Sequence, residues 1–289
     1  MKEPFAVIAG SSGYNLLGKS CLGIEQECKK ILTPFGESSP IHRFSKDGFS
    51  ILFLSRHGEK KYSLSAPFVN YRANIWALKE CGVERIIAWS GPGIINDKFS
   101  VGNFALPHDL IDETKNRDYT FFENKGIGFI RQKFPFCEII RKELVKIMTV
   151  LNLEFHAKSV YVCTEGPRLE TPAEIQKYKM FGGDIVGMTL IPEAFLAREL
   201  EICYAPICYL TNFAEGTPER PYQKGELFEG MIDNNDRKSI SDSLRQFPII
   251  FQKVYESLQN IERDCDCKNA MLRYKKEGGI SEDWRNWIK

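Results

Sequence analysis

Long hydrophobic runs and a charge of one dominant sign are both missing from this 289-residue chain. No stretch approaches the roughly 18 consecutive apolar residues of a membrane-spanning helix, and the apolar run near the N-terminus is too short for a secretory signal. Lys and Arg number 39 against 38 Asp and Glu, which gives a net charge of +1. The chain therefore has no bulk attraction to nucleic acid or to an anionic membrane, and we expect neither as a partner.

Histidine is scarce, and no cysteines have the spacing of a metal-binding motif. There are four His and nine Cys, and most of the Cys lie in strand-like or helix-like segments. An odd number of scattered cysteines is typical of small buried side chains in a reducing compartment. No Cys/His set has zinc-finger spacing. We therefore expect a cytoplasmic protein and no metal.

What the chain does contain is a regular alternation of short β-branched runs and longer amphipathic runs. Predicted strands cover residues 5–9, 51–55, 85–90, 101–107, 159–163, 184–188 and 203–211, and predicted helices cover 71–81, 138–151, 172–181, 192–200 and 239–258. This alternation predicts an α/β fold: one domain with a mixed, largely parallel β-sheet flanked by helices. Residues 214–238 are the longest irregular stretch, a length typical of a lid or part of a site.

Polar clusters follow the early strands, at the edge where open α/β sheets bind ligands. These clusters are Gly10-Ser11-Ser12-Gly13, Arg56-His57-Gly58 and Ser90-Gly91-Pro92-Gly93. Hydroxyl groups, backbone N–H groups and a guanidinium fork all suit an oxyanion such as phosphate. Each cluster taken alone is equally compatible with an ordinary turn or a solvated loop.

The later strands are followed by groups that suit a base and a sugar. Thr171 and Glu174 fit a helix capping box, which leaves the neighbouring Glu170 without a structural explanation. Met188 can make a flat apolar contact with a sugar or a base, and Asn212 carries both a donor and an acceptor. Singly, Met188 also suits a core and Asn212 a turn. Together with the anion binders, they suit a nucleoside and a phosphate in one cleft.

Five segments together resemble the trimeric purine nucleoside phosphorylase and methylthioadenosine phosphorylase family. They are Gly-Ser-Ser-Gly at 10–13, Arg-His-Gly at 56–58, and the runs at 69–78, 165–174 and 186–194. The pattern is most similar to 6-oxopurine-type methylthioinosine phosphorylases. The resemblance covers residues 5–215. It implies cleavage of a purine nucleoside by inorganic phosphate, giving free base and ribose 1-phosphate or its methylthio analogue.

Residue roles follow from the same resemblance. The implied phosphate site consists of Ser12, Arg56, His57, Gly91 and Thr189; the implied substrate contacts are Met188 under the ribose, Leu169, Glu170 and Asn212, with Phe134 similar to an aromatic residue that a neighbouring subunit contributes. Glu170, Asn212 and His57 form the implied catalytic set. The resemblance also implies a homotrimer or a hexamer, with phosphate as co-substrate and no metal or organic cofactor.

The base-binding pair distinguishes two branches of that family. Methylthioadenosine phosphorylases have Ser and Asp at the positions of Glu170 and Asn212. Glu170 can accept the N1–H of a 6-oxopurine, whereas adenine presents an acceptor there and would leave a buried carboxylate unpaired, at a cost of about 1–3 kcal/mol. We therefore expect methylthioinosine, inosine or guanosine. The alternatives are a methylthioadenosine phosphorylase and a non-catalytic nucleoside-binding relative.

Two parts of the chain depart from the pattern. Residues 217–240, where a 5′-hydroxyl and a 5′-methylthio group would be distinguished, do not align. We expect a phosphorylase domain at 1–262 and a C-terminal docking tail at 263–289. In that tail, Cys265-Asp266-Cys267 resembles a C-terminal motif that can form a disulfide in some thermophilic relatives, or is a reduced surface pair.

Overall fold

The computed structural model describes residues 3–10, 22–46, 48–59, 63–217, 225, 227 and 232–288, and it confirms the α/β class. Its strands are β1 (Phe5–Ala9), β2 (Ile24–Lys29), β3 (Leu32–Thr33), β4 (Gly36–Glu37), β5 (Ile41–Lys46), β6 (Phe49–Ser55), β7 (Arg85–Ser90), β8 (Gly93–Ile94), β9 (Phe104–Ala105), β10 (Asp109–Glu113), β11 (Phe155–His156), β12 (Val160–Thr164), β13 (Ile185–Gly187), β14 (Cys203–Tyr209) and β15 (Asn212–Phe213). Its α-helices are α1 (Tyr71–Glu80), α2 (Glu138–Val150), α3 (Pro172–Met180), α4 (Glu193–Glu199), α5 (Asn234–Leu258) and α6 (Leu272–Lys276).

The described strands form a large sheet, a small sheet and a two-stranded antiparallel pair of β3 and β4. The large sheet has the order β11-β9-β14-β7-β1-β6-β5-β2, and its central strands β14, β7, β1 and β6 run parallel. The small sheet has the order β10-β12-β13-β8-β15. Every residue of β1 and β7 is buried, because helices cover both faces of the large sheet. The carboxyl ends of β1, β6 and β7 therefore lie side by side.

Two apolar layers hold the large sheet. On one face α1 and α4 pack through side chains that include Ile75, Trp76 and Leu196. On the other face α2 and α5 pack, and the Phe247 ring of α5 meets the Trp89 ring of β7 edge-on at 4.8 Å. The tail joins the first layer: Met271 and Trp287 are buried there, and the Trp284 ring lies 4.7 Å from that of Trp76.

Several predicted boundaries are wrong, each for a local reason. The predicted strand at 101–107 is reduced to β9, because Gly102 turns the chain with a φ of +86°. The predicted strand at 203–211 ends at Tyr209, and the chain then crosses to the small sheet as β15. Helix α5 begins at Asn234 rather than at 239, with Asp233 as its capping residue.

No membrane span is found among the described helices: none is long and apolar enough to cross a bilayer. The division at residue 262 stays a prediction.

Candidate functional site

A cavity of about 210 Å³ opens between the carboxyl ends of the large sheet's parallel strands and the small sheet. Most of the residues that the sequence analysis singles out line it: His57, Gly91, Leu169, Glu170, Met188, Thr189 and Asn212. Gly10, Ser90, Tyr209 and Glu215 also contribute to the wall. The structure thus brings three predicted anion binders, His57, Gly91 and Thr189, to the same cavity as the predicted base readers.

The anion-binding side of the cavity is formed by residues at or just after the carboxyl ends of β6, β7 and β13. The Oγ atoms of Ser90 and Thr189 lie 3.5 Å apart, and both residues are almost fully buried. His57 donates its Nδ1–H to the carbonyl oxygen of Leu64 at 2.7 Å, which fixes the ring. Burial, followed by the charge of Arg56, lowers the pKa of His57 to about 4. The imidazole is therefore neutral at pH 7 in the free protein.

Arg56 does not line the cavity. Its guanidinium is fully buried, with Nε 2.7 Å from Glu193 Oε1 and Nη2 2.8 Å from Glu193 Oε2. Nη1 donates to the Trp89 carbonyl at 3.2 Å, and Nη2 reaches the Ile8 carbonyl at 3.5 Å. Among the described residues these bonds use four of the five N–H groups. The fifth lies on Nη1, which faces the cavity-lining Gly10: a Cβ built there would be 3.6 Å from it.

Gly91 packs too tightly for any side chain. A Cβ atom at this position would lie 2.7 Å from Tyr209 Oη and 2.9 Å from a methyl group of Thr211. The Tyr209 ring is in turn held by stacking on Trp89, with centroids 5.4 Å apart. The backbone of Gly91 is therefore kept at the cavity wall, where its N–H can serve a ligand.

Glu170 and Asn212 are both held by neighbouring groups. Thr164 donates its hydroxyl to Glu170 Oε1 at 2.5 Å. Asn212 Nδ2 donates to the Phe213 carbonyl at 2.8 Å, while Thr211 Oγ1 donates to Asn212 Oδ1 at 2.7 Å. Among the described residues, these contacts leave one N–H and one acceptor position of the amide for a ligand in the cavity.

Helix α3 holds Glu170 at its N-terminal end. The predicted capping box is confirmed: the Thr171 hydroxyl accepts from the Glu174 N–H at 3.2 Å, and Glu174 Oε2 accepts from the Thr171 N–H at 2.8 Å. Arg168 also pairs with Glu174, with both contacts at 2.7 Å. The position of Glu170 is thus set by the start of the helix that follows it.

Met188 is positioned by a glycine on the facing loop. A Cβ atom at Gly166 would lie 2.5 Å from Met188 Sδ, and Gly166 has a φ of +70°. A glycine is the residue that tolerates both the left-handed backbone and the close approach. The sulfur therefore lies directly against the loop that carries Leu169 and Glu170.

Arg117 is a structural element of the site that the sequence analysis missed. Its buried guanidinium donates to the carbonyl oxygens of Met188 (2.7 Å) and Glu165 (2.7 Å), and further bonds reach Ile191, Thr164 and the Tyr71 hydroxyl. It thereby ties the loop after β12 to the loop after β13, which carry Glu170 and Thr189. Arg117 stands in a polar run without periodicity, so nothing in the sequence indicated this role.

Two further residues of the predicted site are Ser12 and Phe134. Ser12 lies outside the described residues, as do most of residues 218–231. Phe134 does not line the cavity of its own chain; its carbonyl accepts a hydrogen bond from Arg198 Nη1 at 2.9 Å.

The fold is that of an α/β protein whose ligand cavity lies at the carboxyl ends of its parallel strands. The chain belongs to the phosphorylase superfamily, whose family model matches residues 4–240. It is 38% identical to the 6-oxopurine nucleoside phosphorylase of Pyrococcus furiosus, over 92% of this chain and 97% of that protein.

Two further relatives mark the neighbouring branches. A probable S-methyl-5′-thioinosine phosphorylase of Thermodesulfovibrio yellowstonii is 38% identical over 89% of this chain and 94% of that protein. The crystal structure of a methylthioadenosine phosphorylase from an Antarctic soil metagenomic library superposes with a TM-score of 0.85 at 27% identity, covering 99% of this chain and 98% of that chain.

Proposed function

We propose that this protein cleaves the N-glycosidic bond of 6-oxopurine nucleosides with inorganic phosphate. The products are the free base and ribose 1-phosphate, or 5-methylthioribose 1-phosphate. One observation carries the proposal: Glu170 and Asn212 line the same cavity as His57, Gly91 and Thr189. A base-reading pair and an anion-binding set thus face one bound substrate.

At the anion-binding side, phosphate is held by donors from four loops. The hydroxyls of Thr189 and Ser90 and the N–H of Gly91 donate to its oxygens, and the Nη1–H of Arg56 supplies a buried positive charge from behind Gly10. Ser12, which lies outside the described residues, is the further donor that the family resemblance implies. His57, neutral in the free protein, accepts a proton when the anion binds beside it, because a nearby negative charge favours the imidazolium. The phosphate is thereby placed to attack C1′ of the ribose.

At the base side, the departing purine accumulates the electron pair of the broken C1′–N9 bond. The remaining Nδ2–H of Asn212 donates to O6 or N7 and stabilises that charge, while Glu170 accepts the N1–H. The phosphate forms the new C1′–O bond, and its proton ends on the purine, so the reaction balances without a metal or an organic cofactor. Met188 packs against the sugar between the two ends.

A panel of nucleosides tests the proposal. Methylthioadenosine, methylthioinosine, adenosine, inosine and guanosine are incubated with the protein, with and without phosphate, and the released base is identified. We expect hypoxanthine or guanine release that requires phosphate. The rates for inosine and methylthioinosine then show whether the preferred substrate has a 5′-hydroxyl or a 5′-methylthio group. Adenine as the main product would make the protein a methylthioadenosine phosphorylase instead. Phosphate-independent binding without turnover would make it a non-catalytic nucleoside-binding relative.

We further propose that the protein acts in the cytoplasm, in purine salvage, as a homotrimer or as a hexamer of two trimers. The position of Phe134 outside its own cavity supports a role at the cavity of a neighbouring subunit. Sedimentation equilibrium measures the mass, and Phe134→Ala is expected to raise the KM for nucleoside without dissociating the trimer. A monomer with full activity would contradict this part of the proposal.

A further inference from the structure

Four cysteines from three distant segments meet at the start of β14. The cavity lies at the other end of this strand, at Tyr209. Cys137 precedes α2, Cys203 begins β14, and Cys265 and Cys267 belong to the tail. Their Sγ atoms all lie within 4.8 Å of one another, and the Cys203 and Cys265 sulfurs are 3.4 Å apart. We refer to these residues as the four-cysteine cluster.

The arrangement fits a single metal ion better than it fits two separate pairs of thiols. In a tetrahedral zinc site with Zn–S bonds of about 2.3 Å, neighbouring sulfurs are about 3.8 Å apart. That value lies between the 3.4 Å of the Cys203–Cys265 contact and the 4.8 Å that bounds all the sulfur–sulfur distances, and each cysteine of the cluster is a free thiol in this structure. Three of the four are almost fully buried, which is typical of a closed structural site and not of one that binds substrate.

The surrounding charges suit thiolates. Four thiolates around a divalent ion carry a net charge of −2, which needs compensation inside a protein. Two arginines supply it: Arg198 Nη1 lies 3.9 Å from Cys267 Sγ, and Arg263 interacts electrostatically with Cys203 and Cys265. Their Nε atoms are buried and have no hydrogen-bond partner among the described residues. Cys137 is also the N-cap residue of α2, where the helix dipole favours an anion.

We propose that the four-cysteine cluster binds one divalent, thiolate-preferring metal ion, with zinc as the expected occupant. Each thiol loses its proton on binding, and the ion completes a tetrahedral S₄ shell with no open position. The chemistry is structural: the ion joins the tail to β14 and to α2.

The site has a consequence for the rest of the molecule. Arg198 contacts both Cys267 and the carbonyl of Phe134, so the ion would also hold the segment that carries this aromatic residue. Further along the tail, the hydroxyl of Tyr274 accepts a hydrogen bond from the Phe129 N–H at 2.8 Å. A bound ion thus holds the tail at the four-cysteine cluster, and Tyr274 in α6 holds it at a second point.

Metal content and a cobalt spectrum test the proposal on the full chain. The protein is purified with a reducing agent and without a chelator, and its zinc and iron are measured by mass spectrometry. We expect about one ion per chain. Metal-free protein is then titrated with Co²⁺, and the charge-transfer and d–d absorption of a tetrahedral cobalt–thiolate centre should saturate at a 1:1 ratio.

Variants separate the cluster from the other cysteines. Cys265→Ser and Cys267→Ser should abolish the cobalt–thiolate spectrum, whereas Cys81→Ser, at a buried thiol outside the cluster, should leave it unchanged. Arg198→Gln keeps all four ligands and should weaken metal affinity about 10- to 100-fold. Chelation should lower the melting temperature of the parent protein and not that of Cys267→Ser.

Two results would overturn the inference. One is a parent protein with four reactive thiols that neither contains metal nor develops the cobalt spectrum. The other is disulfide bonding within the cluster, detected by peptide mapping without reduction, in protein prepared under the same reducing conditions. Neither outcome depends on which nucleoside the cavity accepts.

Discussion

Arg56 and Glu193 form a fully buried, two-point ion pair, with Nε–Oε1 and Nη2–Oε2 distances of 2.7 and 2.8 Å. The Tyr204 hydroxyl donates to the same Oε2 atom at 2.8 Å. The pair joins the loop after β6 to the first residue of α4, which stand 137 positions apart in the chain. The carboxylate holds the guanidinium in one orientation behind the cavity, and within the part of the chain that the structure describes a single N–H of Arg56 is left on that side.

Replacing Glu193 with Gln tests how much this pair matters. The variant keeps an acceptor for Arg56 but leaves the buried guanidinium without a counter-charge, so we expect the free energy of unfolding to fall by about 3–5 kcal/mol. Urea denaturation followed by circular dichroism measures the change. Glu256→Gln, which breaks an exposed pair with Lys253, is the matched control and should cost less than about 1 kcal/mol. Equal, small losses in both variants would show that the buried charge is compensated otherwise.

Substitution of His57 by Ala should act on phosphate and not on the nucleoside. Removing a hydrogen-bonding partner of an anion costs about 1.5–3 kcal/mol, so the KM for phosphate should rise about 10- to 100-fold, with a small change for the nucleoside. Steady-state kinetics with each substrate varied in turn separates the two. His108→Ala is the control, because this histidine also bonds a backbone carbonyl through Nδ1 but lies outside the cavity wall. A selective rise in the nucleoside KM would place His57 at the sugar.

Asn212→Asp should shift the base preference towards adenine. A protonated aspartate can still donate to N7, but its charged form repels O6 of hypoxanthine, so inosine should lose efficiency while adenosine gains. We expect the ratio of kcat/KM for inosine over adenosine to fall at least about tenfold. Thr211→Ser, which keeps the hydroxyl that orients the amide, should leave the ratio unchanged. An unchanged ratio in the aspartate variant would refute our account of base recognition.

Glu199 should make stability depend on pH. Its carboxylate is buried beside Thr120 and the Phe121 N–H, and burial raises its pKa to about 7 against 4.5 in an unfolded chain. Between these values the folded state keeps a proton that the unfolded state releases, so this contribution to stability is complete below about pH 4.5 and is lost as the pH rises through 7.

Glu199→Gln removes this titration. The difference in unfolding free energy between variant and parent should move in favour of the variant between pH 5 and pH 8, by about 2.5 kcal/mol. Any constant cost of exchanging the carboxylate for an amide cancels in that comparison. Glu262→Gln, at an exposed carboxylate, should show no such trend. A difference that is flat with pH in both variants would mean that Glu199 ionises normally.

The predictable part of the fold is the part whose sequence pattern reports burial. β1 and β7 read as continuous apolar runs because both faces are covered, and their predicted bounds agree with the structure. β2 and β10 escape prediction, because they are edge strands that have no buried residue and mostly polar side chains. A strand that buries little leaves little hydrophobic pattern to recognise.

Residues whose role is local were also predictable. The Thr171–Glu174 capping box needs only a spacing of three, and because that box does not explain Glu170, this residue is predictable as a site residue too. Arg117 was not, because its partners on β12 and after β13 are 47 to 74 positions away.

By itself, the sequence determined the α/β alternation, the family and the residue types that a nucleoside and a phosphate require, because these depend on periodicity and on short motifs. Only the tertiary structure decided which of those residues face the cavity, that Arg56 stands behind it with Glu193, and that four scattered cysteines meet. These features arise from contacts between segments far apart in the chain. The spacing of residues along the sequence reports only local structure, so it does not show which distant segments the folded sheet brings into contact.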